Sequence, residues 1–100
     1  MPSKTTKFTR KLPDHVTDEL VRVLLQETEF LAFNDLFEKI YERLKARNAV
    51  SGGEEMLRLR AYEKLQTLVN RGFIEKFEKS YKQVEKLKEF AQEREILPVD

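Results

Sequence analysis

The chain has 100 residues, of which 40% are hydrophobic and 37% are charged. This composition supports one hydrophobic core and one domain, and it excludes a disordered chain. The absence of cysteine excludes disulfides and thiolate metal sites, and it predicts a cytoplasmic protein. No apolar run approaches the ~20 residues of a membrane span, and the N-terminus lacks the apolar stretch of a secretory signal, so we expect no membrane partner.

The charges are distributed unevenly, although 19 basic and 18 acidic residues give a net charge of only +1. Residues 1–12 contain no acid, and we predict that residues 1–11 form a disordered basic arm. The remainder has 15 basic and 18 acidic groups, a net charge of −3. Such an arm favours nucleic-acid binding, although a solvated terminus without a partner explains it equally well. The candidate nucleic-acid contacts in the arm are Lys4, Lys7, Arg10 and Lys11.

An amphipathic helix is predicted to follow the arm. Pro13 suits the first turn of a helix, and Asp14 favours its positive end. We expect this helix to end near Thr28, since its apolar residues have helical spacing. The apolar run at 29–33 then predicts a short buried strand. The apolar face of the helix consists of Val16, Leu20, Val23 and Leu24.

Two more helices are predicted in the middle of the chain. Asn34 is placed to N-cap the second helix. Ser51 and Glu54 have the spacing of a capping box at the start of the third helix. This helix should end near Asn70 and reverse the chain at Gly72, where a left-handed residue is common. Its predicted inward stripe is Leu57, Ala61, Tyr62, Leu65, Leu68 and Val69.

Aromatic residues at core spacings are predicted to fill the interior rather than a ligand pocket. They are Phe30, Phe33, Phe37, Tyr41, Tyr62, Phe73 and Phe77.

Two alternatives remain for the C-terminal third. In the first, residues 73–84 form a β-wing and a short helix follows to about Arg94. In the second, one helix runs from about Glu75 to Arg94, because apolar residues recur at alternating spacings of three and four with Lys88 as the exception. That helix would pair with a second copy in a coiled coil. The candidate dimer-interface residues are Phe77, Tyr81, Val84, Leu87, Phe90 and Ala91.

The stretch 62–76 has two leucines three residues apart, four more residues to a glycine, and then an apolar pair followed by charged residues. The residues that carry this pattern are Leu65, Leu68, Gly72, Phe73 and Ile74. The pattern resembles the end of the recognition helix and the start of the wing in winged helix-turn-helix domains. The resemblance implies a mostly α fold of three helices, a short strand and a β-wing, here with an additional C-terminal helix. The domain would span residues 12–96, and residues 97–100 would form a tail.

Polar residues on the third helix, opposite its predicted core stripe, would face the major groove of double-stranded DNA in such a domain. Arginine can bond guanine there, while lysine and threonine can contact phosphate. The candidates on this face of the helix are Arg60, Lys64, Thr67 and Arg71, and those on the wing are Lys76, Lys79 and Lys82. Arg58 is a further candidate, which lies nearer the core edge and could reach out along its aliphatic stem. An ordinary solvated face is the alternative, because Glu54, Glu55 and Glu63 lie on the same helix.

No catalytic or metal-binding pattern is present in the sequence. His15 is the only histidine, so neither a Ser/His/Asp set nor a histidine-based metal site is expected. Gly52-Gly53 is not followed by the lysine of a phosphate-binding loop. We therefore expect a non-enzyme without a cofactor or a metal.

Two functions are compatible with these patterns. The first is a DNA-binding transcriptional regulator, expected to be a homodimer, that places its third helix in the major groove. The second is a protein–protein interaction module, with the winged-helix fold or as a coiled-coil dimer, that binds no nucleic acid. The basic arm and the stripe on the third helix favour the first function, whereas the net negative charge after the arm favours the second.

Overall fold

The computed structural model describes residues 14–50 and 52–96. The helices in this part of the chain are α1 (His15–Gln26), α2 (Phe33–Ala46), α3 (Glu54–Asn70) and α4 (Glu85–Glu93), and the strands are β1 (Leu31–Ala32), β2 (Ile74–Phe77) and β3 (Ser80–Gln83). The predicted mostly α class is confirmed. The predicted arm at 1–11, Ser51 and the predicted tail at 97–100 lie outside the described residues.

Helix α1 begins near the predicted position, with Asp14 as its N-cap. One carboxylate oxygen of Asp14 accepts a hydrogen bond from the Thr17 amide at 3.1 Å, and the other accepts one from the Thr17 hydroxyl at 2.8 Å. These bonds satisfy an N–H group that the first turn leaves free. The helix packs against α2 and α3. Its buried apolar residues are Val16, Leu20, Val21, Val23 and Leu24.

Helix α2 begins before Asn34, so the predicted N-cap role of that residue is wrong. The N-cap is Ala32, which supplies no side-chain hydrogen bond. The N–H of Phe33 instead donates to the carbonyl of Lys79 at 3.0 Å. A backbone group distant in sequence thus satisfies a donor of the first turn, which local capping rules do not reveal.

The start of helix α3 differs from the prediction, whereas its end agrees with it. The predicted capping box is wrong because Gly53 is the N-cap. Gly72 has a φ of +84°, and its N–H bonds to the carbonyl of Val69 at 3.0 Å. The next N–H, of Phe73, bonds to the carbonyl of Leu68, also at 3.0 Å. This Schellman motif reverses the chain between α3 and β2.

Residues 74–83 form an antiparallel hairpin, so the alternative of one long helix through this region is wrong. Phe77 pairs with Ser80, which leaves a turn of two residues. The first of them, Glu78, has a φ of +55°. Two-residue hairpin turns need such a backbone, and glycine or asparagine usually supplies it. Glutamate supplies the positive φ here, so neither glycine nor asparagine marks the turn in the sequence.

Strand β3 lies in the centre of a three-stranded antiparallel sheet of order β1-β3-β2. Ile74 and Tyr81 are buried under this sheet. Helix α4 follows β3 and confirms the predicted C-terminal helix. The order of helix, strand, two helices, hairpin and helix is compatible with a winged-helix-like fold.

The predicted aromatic core is only partly present. Phe37 is the only one of the seven predicted aromatic residues that is fully buried, while Phe30, Tyr62 and Phe77 are exposed and the others are half-buried. Tyr81, which the prediction assigned to a dimer interface, is fully buried instead. A small domain has too little interior for every large ring that has core spacing.

The predicted coiled-coil interface is also wrong, because half of it lies inside the single chain. The buried members are Tyr81, Leu87 and Ala91. Val84 and Phe90 are half-buried, and only Phe77 is exposed. The spacing that predicted the interface runs across a hairpin and a helix, so these residues do not share one helical face.

Candidate functional site

Three of the five α3 residues that were predicted to enter a DNA groove lie together on one flank of the helix. The Nζ of Lys64 lies 3.0 Å from an oxygen of Asp14. Lys64, Thr67 and Arg71 line a cavity of about 190 Å³ together with residues of α1 and α4. The hydroxyl of Thr67 donates to the carbonyl of Glu63 at 3.1 Å. The structure does bring these residues together, on a side that neighbouring helices partly cover.

The arginines of this segment have different surroundings. Arg58 lies on the other flank of α3, where it donates to the side-chain oxygen of Asn34 at 3.2 Å and lies 3.5 Å from Glu54. Arg71 is exposed beside an aromatic ring, with its guanidinium 5.3 Å from the ring centroid. Arg60 is exposed and forms no ion pair within the described residues.

The three hairpin lysines do not all lie on one surface. Lys76 lies 5.8 Å from the ring centroid of Tyr81, whereas Lys82 lies 5.5 Å from that of Phe30. Lys79 is exposed in the turn. The predicted arm contacts lie outside the described residues, so the structure does not relate the arm to α3 or to the hairpin.

Three large apolar side chains are exposed on the outer side of α3. Met56, Leu59 and Tyr62 follow one another at spacings of three and are 56%, 52% and 43% exposed. Residues three apart are neighbours on a helix surface, so the three side chains form one line. We call this line the α3 stripe. Met56 and Leu59 lie away from the buried residues of the same helix, whereas Tyr62 lies at the edge of the exposed side, where its ring contacts that of Phe33.

A hollow of about 460 Å³ adjoins one end of the α3 stripe, between α3 and the hairpin. Phe33, Tyr62 and Tyr81 supply its aromatic walls, and Lys76 and Lys79 line its hairpin side. The rings of Phe33 and Tyr62 meet edge to face at 5.8 Å. We call this cavity the hairpin hollow, and none of the residues that line it is acidic.

The main buried charge of the described residues, Glu19, ties α1 to α2. Its carboxylate is 1% exposed and accepts hydrogen bonds from Arg22 at 2.8 Å and from Arg43 and Arg47. Burial raises the pKa of this carboxyl, but hydrogen bonds from Arg43 and Arg47 and the neighbouring positive charges lower it more, so that the pKa lies below its ordinary value. Arginines occupy both carboxylate oxygens, which suits a structural contact rather than acid–base chemistry.

Elsewhere in the described residues, few side chains are arranged to bind a metal or to take part in catalysis. No group of three His, Cys, Asp or Glu side chains within residues 14–50 and 52–96 is arranged to hold a metal ion. The Nδ1 of His15 is buried there without a hydrogen-bond partner. None of the helices in the same part of the chain has the length and apolar character needed to cross a membrane.

Comparisons with known proteins found no match. Neither the protein-family models, nor the curated proteins, nor the solved structures gave a significant similarity to this chain. Only the surface of the fold itself therefore bears on the function of this chain.

The sequence prediction missed the α3 stripe and the hairpin hollow. Tyr62 has the spacing of a core residue, and no local pattern predicts a role for Met56 or Leu59. One signal was present: α3 is much less amphipathic than the other three described helices, because apolar residues lie on both of its faces. The hollow depends on Phe33, which local sequence patterns do not relate to the hairpin.

Proposed function

We propose that this protein is a protein–protein interaction module with a winged-helix-like fold, and that it docks a partner protein on the α3 stripe. The element order and the strand order of the small sheet support the winged-helix arrangement. In such an arrangement α3 occupies the position of the recognition helix and presents its outer face for binding. The occupant of the stripe is a segment of another protein that offers apolar side chains.

The observation that carries this proposal is the exposure of three large apolar side chains in one line. Burial of such a side chain contributes about 1.5–3 kcal/mol. Exposed apolar surface of this kind marks interaction sites when its members are contiguous. Helix α3 also has three acidic and three basic residues, so its net charge is zero. A neutral helix that exposes three large apolar side chains suits a protein surface better than a phosphate backbone.

DNA binding is the second candidate, and it is supported by exposed cations without an acidic partner. Arg60 on α3 and Lys79 in the hairpin turn are two such residues among those described. Against it, Lys64 is paired with Asp14. An anisotropy titration with duplex DNA tests this candidate: binding that weakens steeply with salt and disappears on Arg60→Ala with Arg71→Ala would support it.

Site-specific photo-crosslinking tests the docking proposal. A benzophenone amino acid replaces Leu59 and, in a control, Lys88 on α4; cells that express either chain are then irradiated. We expect one protein to be crosslinked from position 59 and not from position 88. The crosslinked partner, once identified and purified, should bind the unmodified chain, and Leu59→Gln should weaken this binding about tenfold or more. Phe77→Gln, an equally drastic change at an exposed ring, should not.

The proposal fails if no protein is crosslinked from position 59, or if the crosslinked protein binds Leu59→Gln as tightly as the original chain. Leu59 is half exposed, so its replacement by glutamine should change the free energy of unfolding by less than about 0.5 kcal/mol. A thermal melt of the variant separates loss of the surface from loss of the fold.

A further inference from the structure

The hairpin hollow combines aromatic walls with two cations whose charge is not neutralised. Six ion pairs are formed by other basic residues of the described chain, including Arg58 close to the hollow. Lys76 and Lys79 belong to none of them, and Lys79 is exposed in the turn. Among the described residues the hollow therefore has an excess of positive charge.

One further feature favours negative charge in the hollow, and another makes its floor rigid. Asn34 in the first turn of α2 lines the hollow, so the positive end of that helix dipole lies beside it, and Asp35 of the same turn, which does not line the hollow, offsets part of this charge. The buried phenol of Tyr81 accepts a hydrogen bond from the Gln66 amide at 3.0 Å, which holds the floor of the hollow in place. An anion with an apolar stem fits a cavity of this composition, because the rings contact the stem while the ammonium groups contact the charge.

The hollow is also continuous with the α3 stripe. Tyr62 is the last residue of the stripe and one wall of the hollow. A segment that lies along the stripe and extends towards the hairpin therefore places its next side chain at the hollow. Apolar side chains and a carboxylate on one face of the segment would match the two adjoining surfaces.

We propose that the hairpin hollow receives a glutamate or aspartate side chain of a partner protein, and that the partner docks through an acidic amphipathic segment whose apolar side chains cover the α3 stripe. This inference rests on the proposed docking function, and it adds the chemistry of the partner. Lys76 and Lys79 are the specificity residues: they select acidic segments over equally apolar neutral ones.

Selection from a random peptide display library on the full chain tests this inference. We expect the selected peptides to combine leucine or phenylalanine with glutamate or aspartate at helical spacing. A synthetic peptide of the selected sequence should bind the chain in an anisotropy titration. Lys76→Gln with Lys79→Gln should weaken that binding about five- to tenfold, and added salt should weaken it too. Lys88→Gln with Lys86→Gln removes the same charge from α4 and should leave binding unchanged.

The outcomes separate this inference from the proposed function. Two results would overturn the acidic partner and leave the docking surface on the α3 stripe intact. In the first, the selected peptides depend on Leu59 and yet are neutral; in the second, they depend on Leu59 and yet bind the Lys76→Gln, Lys79→Gln chain as tightly as the unmodified chain. Peptides that ignore Leu59→Gln overturn both. A peptide whose acidic residues are replaced by their amides should lose as much affinity as the double lysine variant does, and equal binding of the amide peptide would also overturn the inference.

Discussion

The ammonium group of Lys64 lies 3.0 Å from the carboxylate of Asp14, the residue that caps helix α1. A lysine that the sequence placed on a DNA-binding face therefore contributes to the contact between α3 and α1. Burial raises the pKa of Asp14, but hydrogen bonds from Thr17 and the pairing with Lys64 lower it more, so the pKa lies below its ordinary value.

Lys64→Gln tests which face of α3 is used. The pair is partly exposed, so we expect the free energy of unfolding to fall by less than about 1 kcal/mol. Binding of a peptide that covers the α3 stripe should not change, because Lys64 lies on the opposite flank from Tyr62. Urea denaturation and an anisotropy titration measure the two effects. A tenfold loss of peptide affinity would show that the peptide docks on the flank of Lys64, and it would contradict docking on the α3 stripe.

Glu19→Gln should destabilise the protein by roughly 2–3 kcal/mol, because it removes the anion that three arginines share in a buried position. The loss stays at the lower end of the range for a broken buried ion pair, since Arg43 and Arg47 are about one-third exposed and can turn towards water. Glu42→Gln on the exposed side of α2 is the matched control and should change little. Equal stability of both variants in urea would contradict the structural role of Glu19.

Stability should also fall in acid. Glu19 and Asp14 both have a lowered pKa in the folded protein, so at neutral pH both are ionised whether the chain is folded or unfolded, and their contribution is fully present. As the pH falls below about 4, the unfolded chain takes up protons first, and the contribution is lost progressively. Denaturation midpoints measured between neutral pH and about pH 3 should fall less steeply for Glu19→Gln than for the unmodified chain. If the midpoints of the two chains fell equally steeply with pH, Glu19 would not be a cause of the loss of stability in acid.

Gly72→Ala should lower stability by about 1 kcal/mol. A Cβ at this position would meet only the flexible end of Lys86, at 3.6 Å, so the cost comes from the left-handed backbone rather than from a clash. Gly53→Ser is the contrasting change: φ is −88° there, and serine is a slightly better N-cap than glycine, so stability should rise by a few tenths of a kcal/mol. An unchanged melting temperature for Gly72→Ala would contradict the described reversal of the chain.

Glu78→Gly should raise stability by about 0.5–1 kcal/mol, because glycine adopts the positive φ of the hairpin turn without the steric cost that glutamate bears. Lys79→Gly, one position later, should instead lower stability slightly, since its φ is not positive and glycine only adds freedom to the unfolded chain. Thermal melts compare the two. The reverse order of stabilities would contradict the two-residue turn.

Much of the fold was predictable from local patterns. The spacing of apolar residues located all four described helices, and Gly72 marked the end of α3 because a left-handed residue was needed there. The start of α2 differs from the prediction for another reason: the helix begins one residue before Asn34, and the N–H of Phe33 donates to the carbonyl of Lys79, far away in the sequence. Local rules do not detect such long-range replacements of a cap.

The candidate site was less predictable than the fold. Periodicity shows which residues share a side of a helix, and Lys64, Thr67 and Arg71 do share one. It does not show which neighbouring element covers that side, because this depends on how α1 and α4 pack. For the same reason, periodicity predicts Tyr62 in the core, although its side chain lines the hairpin hollow at the edge of α3.

Amide chemical-shift mapping of the full chain is the most direct test of the central claim, that the outer face of α3 binds protein rather than DNA. Labelled protein is titrated at moderate salt with the selected acidic peptide and, separately, with duplex DNA. We predict that the peptide shifts the amides of Met56, Leu59 and Tyr62 and of the hairpin turn, and that the duplex shifts none of them. Saturable shifts with the duplex, centred on Arg60, Thr67 and Arg71, together with no shifts from the peptide, would contradict the account.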